Sequence, residues 1–341
     1  MRIRLLIIPV LAILLYGCST TETILFETPP DLKDTQLKEA YIEKVAPTVK
    51  VFTVFLDPGH GGEDRRGRGF ANLAIEADVN LRVSLHLREF LQAAGAKVIM
   101  SRTTDESVSL NQRSEMANKS KADFFISVHH NAPGKSEDRY TNYTSTYYHG
   151  TDTSSVYEPC EHDLARYIQR DLAYAMRLSG GLGSFDGTYS DYWIYPGDGF
   201  SVLRKTSIPA VLIEGSFFTH PEEEKRLAED EFNRIQAWGI FKGFAKYLSA
   251  GIPAISFLEE QKADNGIQYL FSVQSKIPIK SESIKVWLNK EQYKNFSYDR
   301  KRKIITVTLQ ETGAEEVNIR IVAANQKGNH TLPFHYKSRL K

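Results

Sequence analysis

A histidine that follows a buried strand inside a glycine-rich turn is placed to bind a metal ion. The apolar run from Val51 to Leu56 has the length and composition of such a strand, and it stops at Asp57-Pro58-Gly59, a strong turn signal. His60 comes next, among glycines that let the backbone turn sharply and leave the imidazole accessible. A neutral imidazole held by a rigid loop suits a metal ligand, and the alternative is a surface histidine beside a turn.

Three further polar residues occupy comparable positions along the chain. Glu76 falls in the first turn of a predicted helix, and His129 and Glu214 stand at the ends of apolar strands. Two imidazoles and one carboxylate form a zinc ligand set that leaves a fourth position open for water. Zinc lowers the pKa of that water and polarises a carbonyl, while a carboxylate outside the metal shell can transfer protons. The pattern indicates amide hydrolysis, and Glu214 suits the proton-transfer role.

The elements that must position these residues alternate between strand and helix. After the His60 loop, apolar residues follow at helical spacing from near Glu76, and Gly95 stands where the helix should end. The alternation predicts an α/β fold, a mostly parallel twisted sheet with helices on both faces, whose strand ends meet at one edge. The later elements are predicted as strands at 96–100, 123–129 and 210–213, as helices at 109–118 and 159–178, and as one or two helices over 221–249.

Beyond Gly251-Ile252-Pro253 the pattern changes to short runs rich in β-branched and aromatic residues. No helical period survives, and no cluster of histidines and carboxylates occurs there. Residues 251–341 are therefore predicted to form a small all-β, sandwich-like accessory domain of immunoglobulin-like type, which binds or orients rather than catalyses. Its strands are predicted at 267–275, 284–288, 303–309, 316–324 and 331–336.

The N-terminus has the features of an export signal. Arg2 and Arg4 precede an apolar run that is too short to span a bilayer, and the run ends at Leu15-Tyr16-Gly17-Cys18. This ending resembles the lipobox of bacterial lipoproteins, so residues 1–17 are predicted to be a signal peptide and Cys18 a lipid-anchored N-terminus. The alternatives are a plain secretory signal or an uncleaved anchor.

The segment that follows is polar and mixed in charge. Residues 18–50 are predicted to be a tether between membrane and domain, with a possible short helix near Gln36–Val45. Ser19 stands where inner-membrane lipoproteins have aspartate, so the outer membrane, with the protein facing the periplasm, is the expected location. Cys160 would then be the one thiol of the mature chain, and it is predicted to be a buried small hydrophobe.

Length and charge limit the classes of function. The 341 residues are enough for two domains, the first of which is predicted to be the catalytic domain over 51–250. The chain has 43 basic and 42 acidic residues, a net charge of +1, so bulk electrostatics indicates neither nucleic acid nor a strongly acidic partner.

Five segments within residues 54–230 resemble the zinc-dependent N-acetylmuramoyl-L-alanine amidases of the cell-wall-lytic type. They occur in the family's order and at plausible separations, and the range 54–230 that contains them is more than half of the chain. The segments are LDPGHGGED (56–64), IEADVNLRVSLHLREFL (75–91), VIMSRTTDESVSLNQRSEMAN (98–118), FISVHHNA (125–132) and IPAVLIEGSFFTHPEEEKRL (208–227).

The resemblance implies that His60, Glu76 and His129 are the zinc ligands and that Glu214 is the catalytic glutamate. It also implies that peptidoglycan is the substrate, cut at the amide between N-acetylmuramic acid and the L-alanine of the stem peptide, in wall turnover or cell separation. The membrane, through lipid on Cys18, is a further expected partner, and a protein activator is left open.

Some positions depart from the family pattern. His130 follows His129 where a small residue is usual, and alternation along a strand favours its facing the opposite side. Ala77 and Ser216 replace residues that are often lysine and glycine. None of these changes removes a ligand, so activity is expected. A catalytically silent peptidoglycan-binding scaffold or activator, and a zinc hydrolase of another amide substrate, are the competing interpretations.

Other conspicuous residues are interpreted as structural. Arg102, Asp105, Arg113 and Asn118 are predicted to brace the loops after the second strand through charge-assisted hydrogen bonds. The acidic run Glu222-Glu223-Glu224 is predicted to lie in the first turn of a helix, where it interacts favourably with the helix dipole.

Overall fold

The computed structural model describes residues 25–135, 137–181, 186–263, 266–310 and 316–338. Six strands form one twisted sheet: β1 (Thr53–Pro58), β2 (Lys97–Met100), β3 (Phe124–Asn131), β4 (Ser145–Tyr148), β5 (Thr188–Ser190) and β6 (Ala210–Phe217). Their spatial order is β2-β1-β3-β6-β4-β5. The pairs β1–β2, β1–β3, β3–β6 and β4–β5 are parallel, and β4 runs antiparallel to β6. The predicted mostly parallel sheet is confirmed, and β4 and β5 are strands that the sequence interpretation missed.

Helices cover both faces of this sheet. They are α1 (Pro30–Lys33), α2 (Thr35–Val49), α3 (Glu76–Ala93), α4 (Leu110–Ser120), α5 (Pro159–Met176), α6 (Ser201–Arg204), α7 (Pro221–Ala228) and α8 (Asp230–Ser249). The larger core packs α2, α3, α5 and α8 on one face, and a smaller cluster lies under α4 and α6 on the other. Helix α8 is apolar on most of its circumference because it is buried between α3 and α5. Among the described residues, no helix combines the length and the apolarity needed to cross a bilayer.

The segment before β1 is packed into this core. The ring of Tyr41 on α2 lies edge-on to Trp238 of α8, with centroids 5.5 Å apart. The prediction of a tether over residues 18–50 is therefore wrong for residues 30–49, while residues 18–24 lie outside the described part of the chain. The apolar side chains are too widely spaced among charged residues to stand out in the sequence, but they form a stripe that α8 covers: Leu32, Ile42, Val45 and Val49.

The C-terminal region is all-β, as predicted. Its strands are β7 (Ala254–Ala263), β8 (Gly266–Gln274), β9 (Lys285–Leu288), β10 (Glu291–Tyr293), β11 (Phe296–Asp299), β12 (Ile304–Leu309), β13 (Val317–Val322) and β14 (His335–Ser338). They form two four-stranded antiparallel sheets, β10-β9-β13-β14 and β11-β12-β8-β7, around a shared apolar core. The five predicted strands correspond to β8, β9, β12, β13 and β14, whereas β7, β10 and β11 were not predicted.

Polar contacts attach the all-β region to the α/β unit. The Arg320 guanidinium donates to Glu158 Oε1 at 3.1 Å and to the Tyr157 carbonyl at 2.6 Å. The Asn329 amide donates to the carbonyls of Tyr247 and Gly251. Tyr157 and Glu158 lie in the segment after β4, and Tyr247 and Gly251 lie at the end of α8. The all-β region is therefore attached at the end of the sheet opposite to the one where β1 and β3 end.

Candidate metal centre

The turn after β1 presents His60. The backbone there is tight, because the Gly59 N–H donates to the Val128 carbonyl at 3.0 Å and His60 itself has a left-handed φ of 59°. Gly59 lies directly against the imidazole of His129, where a Cβ would come within 2.2 Å of ring carbon Cε1. A glycine is required at this position for close approach of the two histidine-bearing segments.

Two buried arginines hold this turn. The Arg113 guanidinium donates to Asp57 Oδ1 and to the His60 carbonyl, both at 2.7 Å. The Arg102 guanidinium donates to the Gly59 carbonyl at 2.9 Å. The prediction that both arginines brace the loop after the second strand is confirmed, because Arg102 donates to the Thr104 carbonyl and Arg113 to the Val108 carbonyl. The two arginines also stabilise the left-handed turn at His60.

Glu76 is the first residue of α3, and its carboxylate lies between the two histidines. Glu76 Oε1 is 3.1 Å from His60 Nε2 and 3.2 Å from His129 Nδ1. The backbone N–H of His130 also donates to this oxygen, at 3.2 Å. The side chain is buried, and the start of a helix is a favourable position for a negative charge.

These three side chains can hold one metal ion. One potential ligand atom from each of His60, Glu76 and His129 lies within 4.8 Å of the others. In a tetrahedral zinc site, ligand atoms about 2.1 Å from the metal are separated by about 3.4 Å, which is close to the two contacts that Glu76 makes. The donor set and its spacing therefore fit a four-coordinate ion with one position left for a further ligand.

The electrostatic environment of the cluster favours the ionised form of Glu76 and the protonated form of His60. Burial raises the pKa of Glu76, but hydrogen bonds to His129 and His60 more than offset it and leave the pKa below its ordinary value. Burial lowers the pKa of His60, but hydrogen bonds and Coulombic attraction to Glu76 and Asp64 raise it to about 9. Asp64 Oδ2 lies 2.7 Å from His60 Nδ1 and thereby orients the ring.

Glu214 lies on the neighbouring strand, beside His129. The two residues are partners in the parallel register of β3 and β6. Glu214 is half-buried, and its Oε2 atom is buried without a hydrogen-bond partner among the described residues. Burial raises the pKa of Glu214 well above its usual range, the charge of Glu76 raises it further, and His60 opposes the shift. This carboxyl therefore holds a proton much more readily than Glu76 does.

His130 does not join the cluster. Its ring is buried between α3 and α8, with Nδ1 2.8 Å from Asn80 Oδ1 and Nε2 2.8 Å from Gln236 Oε1. Burial lowers the pKa of His130 to about 4. The prediction that His130 faces away from His129 is thus confirmed. The structure brings all four predicted site residues to one sheet edge, as the strand-end positions indicated.

Two residues that contact the cluster were missed in the sequence. Asp64 stands four residues after His60 in the motif LDPGHGGED and was not assigned a role. Asn80 stands four residues after Glu76, on the apolar stripe of α3, where a polar residue is itself a signal of a specific partner.

Glu224, from the acidic run at the start of α7, accepts from the backbone of Ala71 and Leu73 and so holds the loop before α3.

Comparisons with known proteins show which family the chain resembles. The chain is 30% identical over 195 residues to the uncharacterised protein YqiI of Bacillus subtilis, covering 57% of this chain and 84% of that protein. It is 28% identical over 212 residues to the germination-specific N-acetylmuramoyl-L-alanine amidase of B. subtilis, covering 58% and 79%. The structure is similar to the crystal structure of an N-acetylmuramoyl-L-alanine amidase from Clostridium difficile 630, with a TM-score of 0.50, 30% identity and coverage of 58% and 97%.

The family pattern locates the similarity on the α/β unit. The pattern of the Amidase_3 family, described as N-acetylmuramoyl-L-alanine amidase, matches residues 54–246. This range begins in β1, ends in α8 and includes all four predicted site residues. Because it spans more than half of the chain, the protein belongs to the N-acetylmuramoyl-L-alanine amidase family.

Proposed function

We propose that this protein is a zinc-dependent hydrolase that cleaves the amide bond between N-acetylmuramic acid and L-alanine in peptidoglycan. The observation that carries the proposal is the group formed by His60, Glu76 and His129, with Glu214 beside it on the adjacent strand. Membership of the amidase family supports the enzymatic activity and the cell-wall substrate.

The residues present fit a catalytic zinc ion. Two imidazoles and one carboxylate are a donor set of catalytic rather than structural zinc sites, because the fourth position stays open. Asp64 supplies the carboxylate that commonly orients a ligating histidine from behind. When bound by these side chains, zinc lowers the pKa of a water molecule and polarises the scissile carbonyl.

The protein's own part in the reaction is then proton transfer and orientation. Glu214, in its ionised form, accepts a proton from the attacking water, and it returns that proton to the amide nitrogen of L-alanine as the bond breaks. Its raised pKa suits it to hold the proton between the two steps. Glu76 stays ionised because both histidines face its carboxylate.

We also propose that the protein is an exported lipoprotein, anchored through Cys18 in the outer membrane and facing the periplasm. The support comes from the sequence alone: basic residues, a short apolar run and Leu15-Tyr16-Gly17-Cys18 followed by Ser19. Cys18 lies outside the described residues.

Metabolic labelling with a radioactive fatty acid tests the proposal of a lipid anchor at Cys18. The full-length protein should be labelled and Cys18→Ala should not, and equal labelling of both would contradict the proposal.

The activity is tested by mass spectrometry of the material released from purified peptidoglycan. The expected products are stem peptides with a free L-alanine amino group, abolished by a chelator and restored by zinc. Products cut at a different bond would contradict the assigned substrate bond. A zinc-loaded protein that releases products only after addition of a cell-envelope extract would support a protein activator, and one that releases none under either condition would support the scaffold interpretation.

A further inference from the structure

A short row of polar side chains lies buried directly behind the metal centre. It consists of Asn80 on α3, His130 on β3 and Gln236 on α8, which are 0%, 3% and 1% exposed. The surrounding core is apolar, and a buried polar group is costly unless it is hydrogen-bonded. We call these three residues the polar bridge.

Asn80 connects two of the ligand-bearing segments. Its amide nitrogen lies 3.2 Å from the Gly59 carbonyl, in the turn that presents His60, and 3.5 Å from Glu76 Oε1. Oδ1 of the same side chain contacts the third segment, where His130 Nδ1 is 2.8 Å away. One buried amide thus contacts the His60 turn, the Glu76 carboxylate and the end of β3.

His130 extends these contacts towards the fourth segment. Its Nε2 lies 2.8 Å from Gln236 Oε1, and Gly215 packs against that contact. A Cβ at Gly215 would come within 2.7 Å of both of these atoms. The polar bridge therefore touches Glu76 itself, as well as Gly59 and Gly215, the chain neighbours of His60 and Glu214. It also includes His130, the chain neighbour of His129.

We propose that Asn80 and His130 are positioning residues that set the relative placement of His60, Glu76 and His129 before a metal ion binds. The three ligands lie in a turn, at a helix start and at a strand end. Because these segments are separate in the chain, only noncovalent contacts can fix their positions relative to one another. Where such segments are not fixed in advance, metal binding must order them, and affinity falls by the cost of that ordering. The inference rests on the proposed function only for the identity of the metal.

The test compares two buried asparagines. Asn233 on α8 lies beyond Gln236, accepts from it and donates to the Leu227 carbonyl, and within the described part of the chain it has no hydrogen bond to a ligand-bearing segment. Asn80→Ala and Asn233→Ala each delete a fully buried, hydrogen-bonded amide, so both should lower the melting temperature of the metal-free protein to a similar degree. Zinc affinity, measured by competition with a chromophoric chelator, should fall by about 10–100-fold for Asn80→Ala and stay unchanged for Asn233→Ala.

Further readouts keep the test decisive. His130→Ala should weaken zinc binding in the same direction, and the visible absorption bands of the cobalt-substituted Asn80→Ala protein should differ from those of the wild type. If Asn80→Ala does not fold, Asn80→Ser replaces it, because a hydroxyl is too short to reach both Glu76 and His130. Wild-type zinc affinity in a folded Asn80 variant, or an equal loss in Asn233→Ala, would overturn the proposal.

The outcome can be separated from a failure of the proposed function. If the wild type binds no zinc, the metal assignment fails, but crystal structures of the metal-free proteins still test the bridge. The Gly59–His60 turn should then be displaced relative to Glu76 in Asn80→Ala and not in Asn233→Ala. An undisplaced turn in the Asn80 variant would contradict the positioning role.

Discussion

Glu76 and Glu214 lie at the same sheet edge, but their surroundings shift the pKa of the carboxyl group in opposite directions. Around Glu76, the two histidine rings and the His130 N–H all face one carboxylate oxygen. Around Glu214, the buried Oε2 atom has no partner among the described residues. The pKa is lowered at Glu76 and raised at Glu214. Carboxylates whose surroundings move their pKa values apart are typical of sites in which one binds charge and the other transfers a proton.

The difference follows from the element that carries each residue. Glu76 begins α3, so its side chain extends from a helix end towards the turn after β1. Glu214 lies inside the sheet, opposite Ser145 of β4 and close enough to Tyr143 and Tyr147 to affect their pKa values. Inside a sheet most backbone N–H groups are already paired with neighbouring strands, so few hydrogen-bond donors are free to contact the side chain. The same residue type is therefore suited to bind a metal ion in one region and to transfer a proton in the other.

The largest effect is expected from Glu76→Gln. The substitution keeps the shape of the side chain but removes the charge that the two histidines and a divalent cation share. Zinc should no longer co-purify with the protein at a one-to-one ratio, and release of stem peptides should fall to background. Metal analysis of the gel-filtered protein checks this prediction, and a stoichiometric zinc content would contradict the ligand role.

Glu214→Gln is the matched substitution in the other region. Because Glu214 is assigned to proton transfer, the variant should retain zinc at the wild-type ratio while turnover falls by about 10²–10⁴-fold. The measurement is the initial rate of stem-peptide release together with metal content. Near-normal turnover would remove Glu214 from the mechanism, and loss of zinc would make it a ligand.

Asp64→Asn should have a smaller effect, which is confined to the affinity for zinc. The carboxylate 2.7 Å from His60 Nδ1 fixes the orientation of that imidazole, and an amide makes a weaker contact there. Zinc affinity should fall by about 10–100-fold, and turnover at saturating zinc should recover most of the wild-type rate. A variant with full affinity would mean that the arginines of the turn suffice to orient His60.

The smallest effect concerns the stability of the metal-free protein. The pKa of Glu214 is raised by folding, so its contribution to stability is present below the unfolded value of about 4.3 and is lost as pH rises towards the folded value. Glu214→Gln should therefore raise the melting temperature at about pH 8 and change it little at about pH 4. An increase of equal size at both pH values would indicate a packing effect instead.

Much of the fold and of the candidate metal site was predictable from the sequence because both depend on local patterns. The apolar runs that became β1, β3 and β6 end where His60, His129 and Glu214 stand. Helix α4 begins one residue after the predicted start, and Ser109 caps it with a reciprocal contact to Gln112. The predicted burial of Cys160 is confirmed.

What could not be predicted depends on partners that are distant in sequence. Asn80 meets Gln236 through His130, across three elements, and no single segment reveals that contact. The apolar stripe of α1 and α2 can be recognised only once the apolar surface of α8 that packs against it is known. Strand β4 has four residues within a polar segment and is defined by its antiparallel register with β6, which is a property of the assembled sheet.

The most direct test of the central claim is the crystal structure of the zinc-loaded protein, with anomalous data collected at the zinc absorption edge. The account predicts one strong anomalous peak bonded to His60, Glu76 and His129, with Glu214 outside bonding distance and Asn80 still in contact with Glu76. A peak bonded to Glu214, or zinc bound elsewhere while this cluster stays empty, would contradict the division of roles between the two glutamates.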